Sequence, residues 1–318
     1  MASLLPNISL PDDDKTIKEY EKKLSSIKSD DVEGHYKLGL WCEGKKLDDL
    51  AKKEFERAIS INLNHKGARE KLGYINKNGK WVPKDYDKFV KAAKDGIHIP
   101  DDSKLDAVAS STNAKEAIEW IKNRENWTTV LLHLYDKLGL FFEDLDVKIS
   151  VSSANKGGWG GQGGGVKGKG SLEIWLGSSG NNTIDGLRHS IIHEMTHVYF
   201  SGFGPSWMNE GLAKYVEDSP DGIMYFILTK TEPKKAGEAY PHYEANYGRG
   251  YLFWTYINQQ FGAQTVKDFA KNRVNGSDYK EAIQKATSVE WEKLINDELE
   301  WTKSNWKNVA KKNGMPVK

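Results

Sequence analysis

Apolar residues recur at three- and four-residue steps through the first part of the chain, between residues 15 and 72. Leu38, Trp41, Leu50 and Phe55 are examples of this spacing. It is the period of an amphipathic α-helix that buries one face, because residues three and four apart lie on the same side of a helix. The pattern therefore predicts a succession of helices.

This predicted helical region spans residues 14–112 and is TPR-like, with about one and a half helix-turn-helix units visible. It includes a helix predicted at residues 85–95. Residues 1–13 contain two prolines and no periodic pattern, so they are predicted to form a flexible tail. A domain boundary is predicted near residue 112, where a Ser/Thr run precedes a further helix at residues 113–138.

Two segments beyond that helix have the features of strands, residues 146–152 and residues 171–176. Between them, residues 157–170 read GGWGGQGGGVKGKG. Glycine loses much conformational freedom when it is ordered, so this density predicts a mobile loop, with the role of a lid. The strand at 171–176 is predicted to be an edge on which an extended peptide can pair.

Helical periodicity dominates the rest of the chain. A small mixed sheet followed by a helical lobe makes the expected fold class α+β, with one domain over residues 113–318. The helices are predicted at residues 184–200, 207–217, 247–261, 263–272, 278–286 and 288–304.

Composition narrows the possible functions. The chain has 318 residues, of which 38% are hydrophobic, and 46 basic against 45 acidic residues give a net charge of +1. This balance gives no electrostatic reason to expect nucleic acid as a partner. No stretch has the roughly 18 apolar residues of a membrane span, and the start lacks the pattern of a secretory signal. Cys42 is the only cysteine, which excludes a disulfide framework; we expect it to be buried on a helix.

The string RHSIIHEMTHVYF carries the strongest chemical signal. His193 and His197 are four residues apart, so on a helix their Cβ atoms lie about 5–6 Å apart and both imidazoles can reach one ion. Leu187 and Ile191 belong to an apolar stripe on the opposite side of the same helix. The helix is therefore predicted to bury one face and to present two metal ligands on the other.

A third ligand is expected downstream, because a catalytic zinc has three protein ligands and one open position. Glu210, in PSWMNEGLAKYVED, follows His197 by thirteen residues and is predicted to be that ligand. Glu217, two turns further along the same predicted helix, is the alternative. No third histidine follows at the spacing of the HExxHxxGxxH type, which excludes that arrangement.

The two strings HEMTH and PSWMNEGLAKY resemble the gluzincin metallopeptidases, most closely the peptidase MA-like and plant basic secretory protein groups. The resemblance covers roughly residues 146–301, and the helical N-terminal region is similar to a segment that precedes some peptidase MA-like members. It implies a zincin-like domain, one bound zinc ion and a protein or peptide substrate. Two features depart from the pattern. Lys214 stands where many gluzincins have an Asp that braces a zinc histidine, and the Gly-x-Met-Glu-Asn motif of the aminopeptidases is absent.

The expected mechanism follows from this ligand set. Glu194, next to His193 but rotated about 100° around the helix, is predicted to be the base that activates the attacking water. A tyrosine that stabilises the oxyanion is implied by the resemblance. Tyr247 is the better positional match and Tyr251, one turn later, is the substitute.

Two further histidines are weaker candidates. His189 could line the same cleft and His242 could enter it from a loop, although a solvated or packed histidine is the simpler interpretation of each. The alternative function is an inactive zincin-like protein that holds a protein partner through its N-terminal helices. An extracytoplasmic location is implied only by the resemblance.

Overall fold

A computed structural model gives the fold of most of the chain. The predicted tail at residues 1–13 lies outside the part that it describes. Over the described residues, the chain divides into two compact units, a smaller one that ends at residue 87 and a larger one that begins at residue 88. The structure describes residues 14–28, 30–111, 114–154, 158–178, 182–200, 204–238, 240 and 242–317.

The smaller unit is built mainly from four helices, as the apolar periodicity predicted. Asp31 caps the second helix by accepting a hydrogen bond from the backbone N–H of Gly34 at 2.9 Å. Leu38, Phe55 and fully buried Cys42 belong to its core, so the prediction for Cys42 is confirmed. The helices are α1 (Asp14–Ser25), α2 (Val32–Gly44), α3 (Asp48–Ile61) and α4 (Lys66–Lys71).

A β-hairpin follows α4, inside the region that was predicted to be helical. Strands β1 (Tyr74–Lys77) and β2 (Lys80–Pro83) pair in antiparallel register. The two residues between them, Asn78 and Gly79, both have positive φ, 54° and 85°. Asn-Gly favours this turn because both residues adopt left-handed conformations at low cost. The region predicted to be helical therefore also contains a hairpin.

The larger unit contains a four-stranded mixed sheet in the order β3-β4-β6-β5. Strands β3 (Ile97–His98), β4 (Asp146–Ala154) and β6 (Lys169–Gly177) are parallel, and β5 (Gly160–Val166) runs antiparallel to β6. Both predicted strands are present. Residues 171–176 are not at an edge, however, because β6 pairs on both sides, and β5 is the edge strand.

Most of the glycine-rich segment is strand, because β5 covers residues 160–166 and β6 begins at residue 169 after a two-residue turn. The prediction of a mobile loop is therefore wrong for the described residues; Gly157 lies outside them. A Cβ atom on Gly163 would lie 2.3 Å from the backbone oxygen of Glu194, and one on Gly161 would lie 3.2 Å from the Cγ of Glu194. These glycines let the edge strand approach the helix that carries Glu194. Their role is close packing.

Helices make up most of the larger unit, so the chain is α+β as predicted. Helix α5 (Tyr86–Asp95) contains the division between the two units. The others are α6 (Asp102–Ser111), α7 (Lys115–Lys122), α8 (Arg124–Leu138), α9 (Ile184–Phe200), α10 (Ser206–Val216), a 3-10 turn (Asp221–Ile223), α11 (Met224–Thr229), α12 (Tyr243–Phe261), α13 (Ala263–Val274), α14 (Tyr279–Thr287) and α15 (Trp291–Lys312).

Several boundaries differ from the expected ones: the helix predicted at residues 288–304 is α15, and α12 begins at residue 243 and not at 247. Two further differences concern the middle of the chain. The helix predicted at 113–138 is broken at Asn123, whose side chain caps α8 by accepting a hydrogen bond from the N–H of Glu125 at 2.9 Å. The division of the chain lies at residues 87/88 and not near residue 112. Strand β3 pairs with β4 and helix α6 contacts β4, which ties this segment to the larger unit.

The core of the larger unit fixes helix α9 in place. Leu187, Ile191, Met195 and Val198 are all at most 1% exposed, so the predicted apolar stripe faces the core. Among the residues that the structure describes, no helix combines the length and the apolar character that crossing a bilayer requires.

Candidate metal centre

Helix α9 presents His193 and His197 on the side opposite its apolar stripe. Their Nε2 atoms lie 3.3 Å apart. His193 is 8% exposed, so it is held in a largely dry environment. One turn of helix therefore brings two imidazole nitrogens to one point, as the spacing predicted.

Helix α10 brings Glu210 to the same point. The helix begins at Ser206, directly after Pro205, whose backbone is extended. It packs closely on α12, because a Cβ atom on Gly211 would lie 2.3 Å from the backbone of Gly250. The Oε2 atom of Glu210 lies 3.2 Å from the Nε2 of His193 and 3.3 Å from that of His197.

Three donor atoms thus form a nearly equilateral triangle, which we call the donor triangle: the Nε2 atoms of His193 and His197 and the Oε2 of Glu210. Among the described residues, these three side chains are the group of histidine, cysteine and acidic residues that could hold a metal ion. Burial raises the pKa of Glu210, but hydrogen bonds from the two histidines outweigh it and lower the pKa to about 2. The carboxylate is therefore ionised at neutral pH.

Glu217, the alternative ligand, lies on the other side of His193. Its Oε2 atom is 2.8 Å from the Nδ1 of His193, and its side chain is only 3% exposed. Lys214 contacts the second oxygen of Glu217 at 2.7 Å. Glu217 is therefore outside the donor triangle, and its contact with His193 was not predicted.

Glu194 is held beside the triangle by the edge strand. Its Oε2 atom accepts a hydrogen bond of 2.7 Å from the backbone N–H of Gly163. Burial raises the pKa of Glu194, and the nearby histidines only partly offset this effect. The sequence did not predict the contact with Gly163, because the glycine-rich segment was interpreted as a loop.

Tyr247 belongs to the site and Tyr251 does not. The ring of Tyr247 lies 6.1 Å from that of His193. Burial and the negative charges of Glu210 and Glu194 raise the pKa of Tyr247, so its hydroxyl keeps its proton at neutral pH. Tyr251 instead packs against the apolar cluster that includes Phe226.

Neither of the two other histidines joins the donor triangle. The Nε2 atom of His189 lies 3.9 Å from the Oδ2 atom of Asp185 on the same helix. The ring of His242, directly before α12, packs against that of Tyr225 at a centroid distance of 5.8 Å. Both therefore fit the simpler packing interpretation.

Comparison of the chain with models of protein families, with curated proteins and with solved structures gave no match. The functional argument therefore depends on the geometry of this centre and on the chemistry of its residues.

Proposed function

We propose that this protein is a zinc-dependent metallopeptidase, with His193, His197 and Glu210 as ligands of one zinc ion. The observation that carries the proposal is the size of the donor triangle. In a tetrahedral site, two ligand atoms lie about 1.63 times the metal–ligand distance apart, which gives about 3.3–3.4 Å for bonds of about 2.0–2.1 Å. The three sides of the donor triangle measure 3.2, 3.3 and 3.3 Å.

The identity of the donors supports zinc. Two neutral imidazoles and one carboxylate form a His₂Glu set, which is a known ligand set of catalytic zinc with a fourth position open. Harder ions such as magnesium and calcium prefer oxygen ligands only. When bound, the ion would act as a Lewis acid that polarises the substrate carbonyl and lowers the pKa of a water molecule.

Glu194 then serves as the general base. Its carboxylate lies beside the donor triangle and is fixed by the N–H of Gly163. It takes a proton from the attacking water and delivers it to the leaving amine nitrogen. A raised pKa suits this task, because it makes the carboxylate a stronger base for the proton that it takes and later returns.

Tyr247 and strand β5 complete the proposed site. The protonated hydroxyl of Tyr247 donates a hydrogen bond to the oxyanion that forms when the peptide carbonyl is attacked. Strand β5, and not β6, provides the edge along which an extended peptide would lie, because β6 pairs on both sides. We also propose that the domain with this centre is zincin-like. The N-terminal helices are proposed to be TPR-like and to bind a protein partner.

The test compares wild type with Glu194→Gln. We expect about one zinc per chain in both proteins, with hydrolysis of an unfolded protein lost at least about 100-fold in the variant. Glu292→Gln is the matched control, because its carboxylate is 77% exposed and lies on α15, outside the centre. It should keep both zinc and activity.

The other outcomes separate the alternatives. Absence of bound zinc from the wild-type protein would contradict the proposed metal centre. Zinc without hydrolysis in wild type would favour the inactive zincin-like protein that binds a partner. Hydrolysis that survives in Glu194→Gln would remove Glu194 from its role as base.

A further inference from the structure

His193 directs its two ring nitrogens at different partners. Its Nε2 is part of the donor triangle, and its Nδ1 lies 2.8 Å from the Oε2 of Glu217. The Nδ1 atom is buried and makes no hydrogen bond of good geometry to any described residue, although the Glu217 carboxylate lies at ion-pair distance from it. Glu217 is therefore the acceptor that lies within reach of the Nδ1 proton.

Glu217 reaches His193 from the end of helix α10. Residues 210, 214 and 217 are spaced by four and three, so they share one face of that helix. The middle position holds Lys214, whose ammonium has only donors and cannot accept a proton from an imidazole N–H. The acceptor for His193 therefore has to come from the next position on the same face.

Lys214 holds the carboxylate of Glu217 in place. Its Nζ atom lies 2.7 Å from the Oε1 of Glu217 and 3.2 Å from the Oδ1 of Asp221. It also lies 5.9 Å from the centre of the Tyr247 ring. A carboxylate that is only 3% exposed needs such partners, because an unpaired buried charge is strongly destabilising. Lys214 and His193 thus contact opposite oxygens of one buried group.

We propose that Glu217 is the positioning residue of the metal centre. Its carboxylate accepts the Nδ1 proton of His193, so that the lone pair of Nε2 faces Glu210 and His197, and Lys214 fixes the carboxylate. This inference rests on the proposed function, since it assigns a role within the same centre. Glu217 acts through His193 and contacts no reacting atom.

The consequence is a defined effect on metal affinity. An acceptor behind a ligating histidine fixes its tautomer and ring orientation, and its loss weakens metal binding about 10- to 100-fold. In Glu217→Gln the side-chain size is kept. The amide oxygen of the glutamine can still accept a hydrogen bond from His193. Its NH₂ group then faces the ammonium of Lys214, which is unfavourable because both groups are hydrogen-bond donors. Glu217→Gln therefore weakens the contact with His193 and leaves no cavity next to it.

The experiment uses the full chain and zinc alone as the probe. Zinc affinity is measured by competition with a chromophoric chelator for wild type, Glu217→Gln, Lys214→Gln and the surface control Glu292→Gln. The absorption spectrum of the cobalt(II)-loaded proteins reports the ligand geometry, and circular dichroism of the metal-free proteins reports folding.

We expect zinc affinity about 10- to 100-fold weaker in Glu217→Gln, with an altered cobalt spectrum. A smaller loss is expected in Lys214→Gln and none in the control. Affinity within about twofold of wild type in a folded Glu217→Gln would overturn the inference while leaving the metal centre intact. A wild-type protein that binds no zinc would instead overturn the proposed function, and the inference with it.

A second pair of variants covers a failure to fold. If Glu217→Gln does not fold, Glu217→Asp shortens the same carboxylate by one methylene and keeps the charge. Weaker zinc binding in Glu217→Asp and Lys214→Gln would support the positioning role. Unchanged zinc binding in both folded proteins would contradict it.

Discussion

At the scale of single residues, His193 is the group on which the centre depends most. It contacts the carboxylates of Glu210 and Glu217 through different nitrogens and precedes Glu194 in the chain. Burial acts to lower its pKa, but the adjacent carboxylates of Glu210 and Glu217 outweigh burial and raise the pKa to about 9 in the metal-free protein. The acids that favour a cation at this point therefore also favour a proton on the imidazole.

Zinc and protons should consequently compete at His193. Below about pH 9 the metal-free imidazole is protonated on both ring nitrogens, and a metal ion must displace the proton on Nε2. Zinc affinity should therefore rise with pH between 6 and 9. The expected slope is about tenfold in affinity per pH unit for each proton released. Chelator competition at several pH values measures the slope, and calorimetry in buffers of different ionisation enthalpy counts the protons. A zinc affinity that does not change over this range would contradict the prediction.

For helices and strands, the sequence predicted the structure best where the side chains form a periodic apolar and polar pattern. Helix α9 has the predicted bounds, because its apolar stripe and its polar histidines both follow the helical period. Strand β5 was missed because five of its seven residues are glycine, and glycine shows neither a period of two nor an apolar face. Local sequence cannot distinguish glycine that is needed for flexibility from glycine that is needed for close approach.

The same limit applies to the centre. The grouping of His193, His197 and Glu210 could be predicted because the spacing of the first two fixes their geometry on one helix, and Glu210 follows His197 by only thirteen residues. The contact between Glu217 and His193 could not, because it depends on how α10 lies across α9 in the packed structure, where α10 also approaches α12 closely at Gly211 and Gly250.

The close packing of β5 on α9 can be tested with Gly163→Ala. The added Cβ atom would lie 2.3 Å from the backbone oxygen of Glu194, so strand or helix must shift and the hydrogen bond to Glu194 must lengthen. We expect a loss of about 1–3 kcal/mol in the free energy of unfolding, with hydrolysis reduced and zinc retained. Denaturant unfolding, zinc content and hydrolysis measure the three effects.

Gly44→Ala is the matched control for that variant. Gly44 ends helix α2, and nothing lies within 4 Å of its added Cβ atom. Stability should be unchanged or slightly higher, because alanine loses less conformational freedom than glycine in a helix. Full stability and full activity in Gly163→Ala would show that the strand does not need this glycine.

In the complete chain, the candidate metal centre belongs to one of the two units. His193, His197, Glu210 and the strand that holds Glu194 all lie within residues 88–318. The proposed ligands come from two helices of that unit, so binding an ion would join α9 to α10 in the folded state only. An ion that binds the folded state and not the unfolded one stabilises the former by mass action.

Zinc should therefore stabilise the larger unit selectively. At a free zinc concentration of about 100 times Kd, the expected gain is about 2.7 kcal/mol in the free energy of unfolding of that unit. Hydrogen exchange of the full chain, followed by mass spectrometry with zinc or with a chelator, should show slower exchange in α9, α10 and β5. The helices α2 and α3 of the smaller unit contribute no ligand and should exchange at the same rate in both conditions. Zinc should have no such effect in His197→Ala, and protection that extended equally into α2 and α3 would contradict a centre confined to one unit.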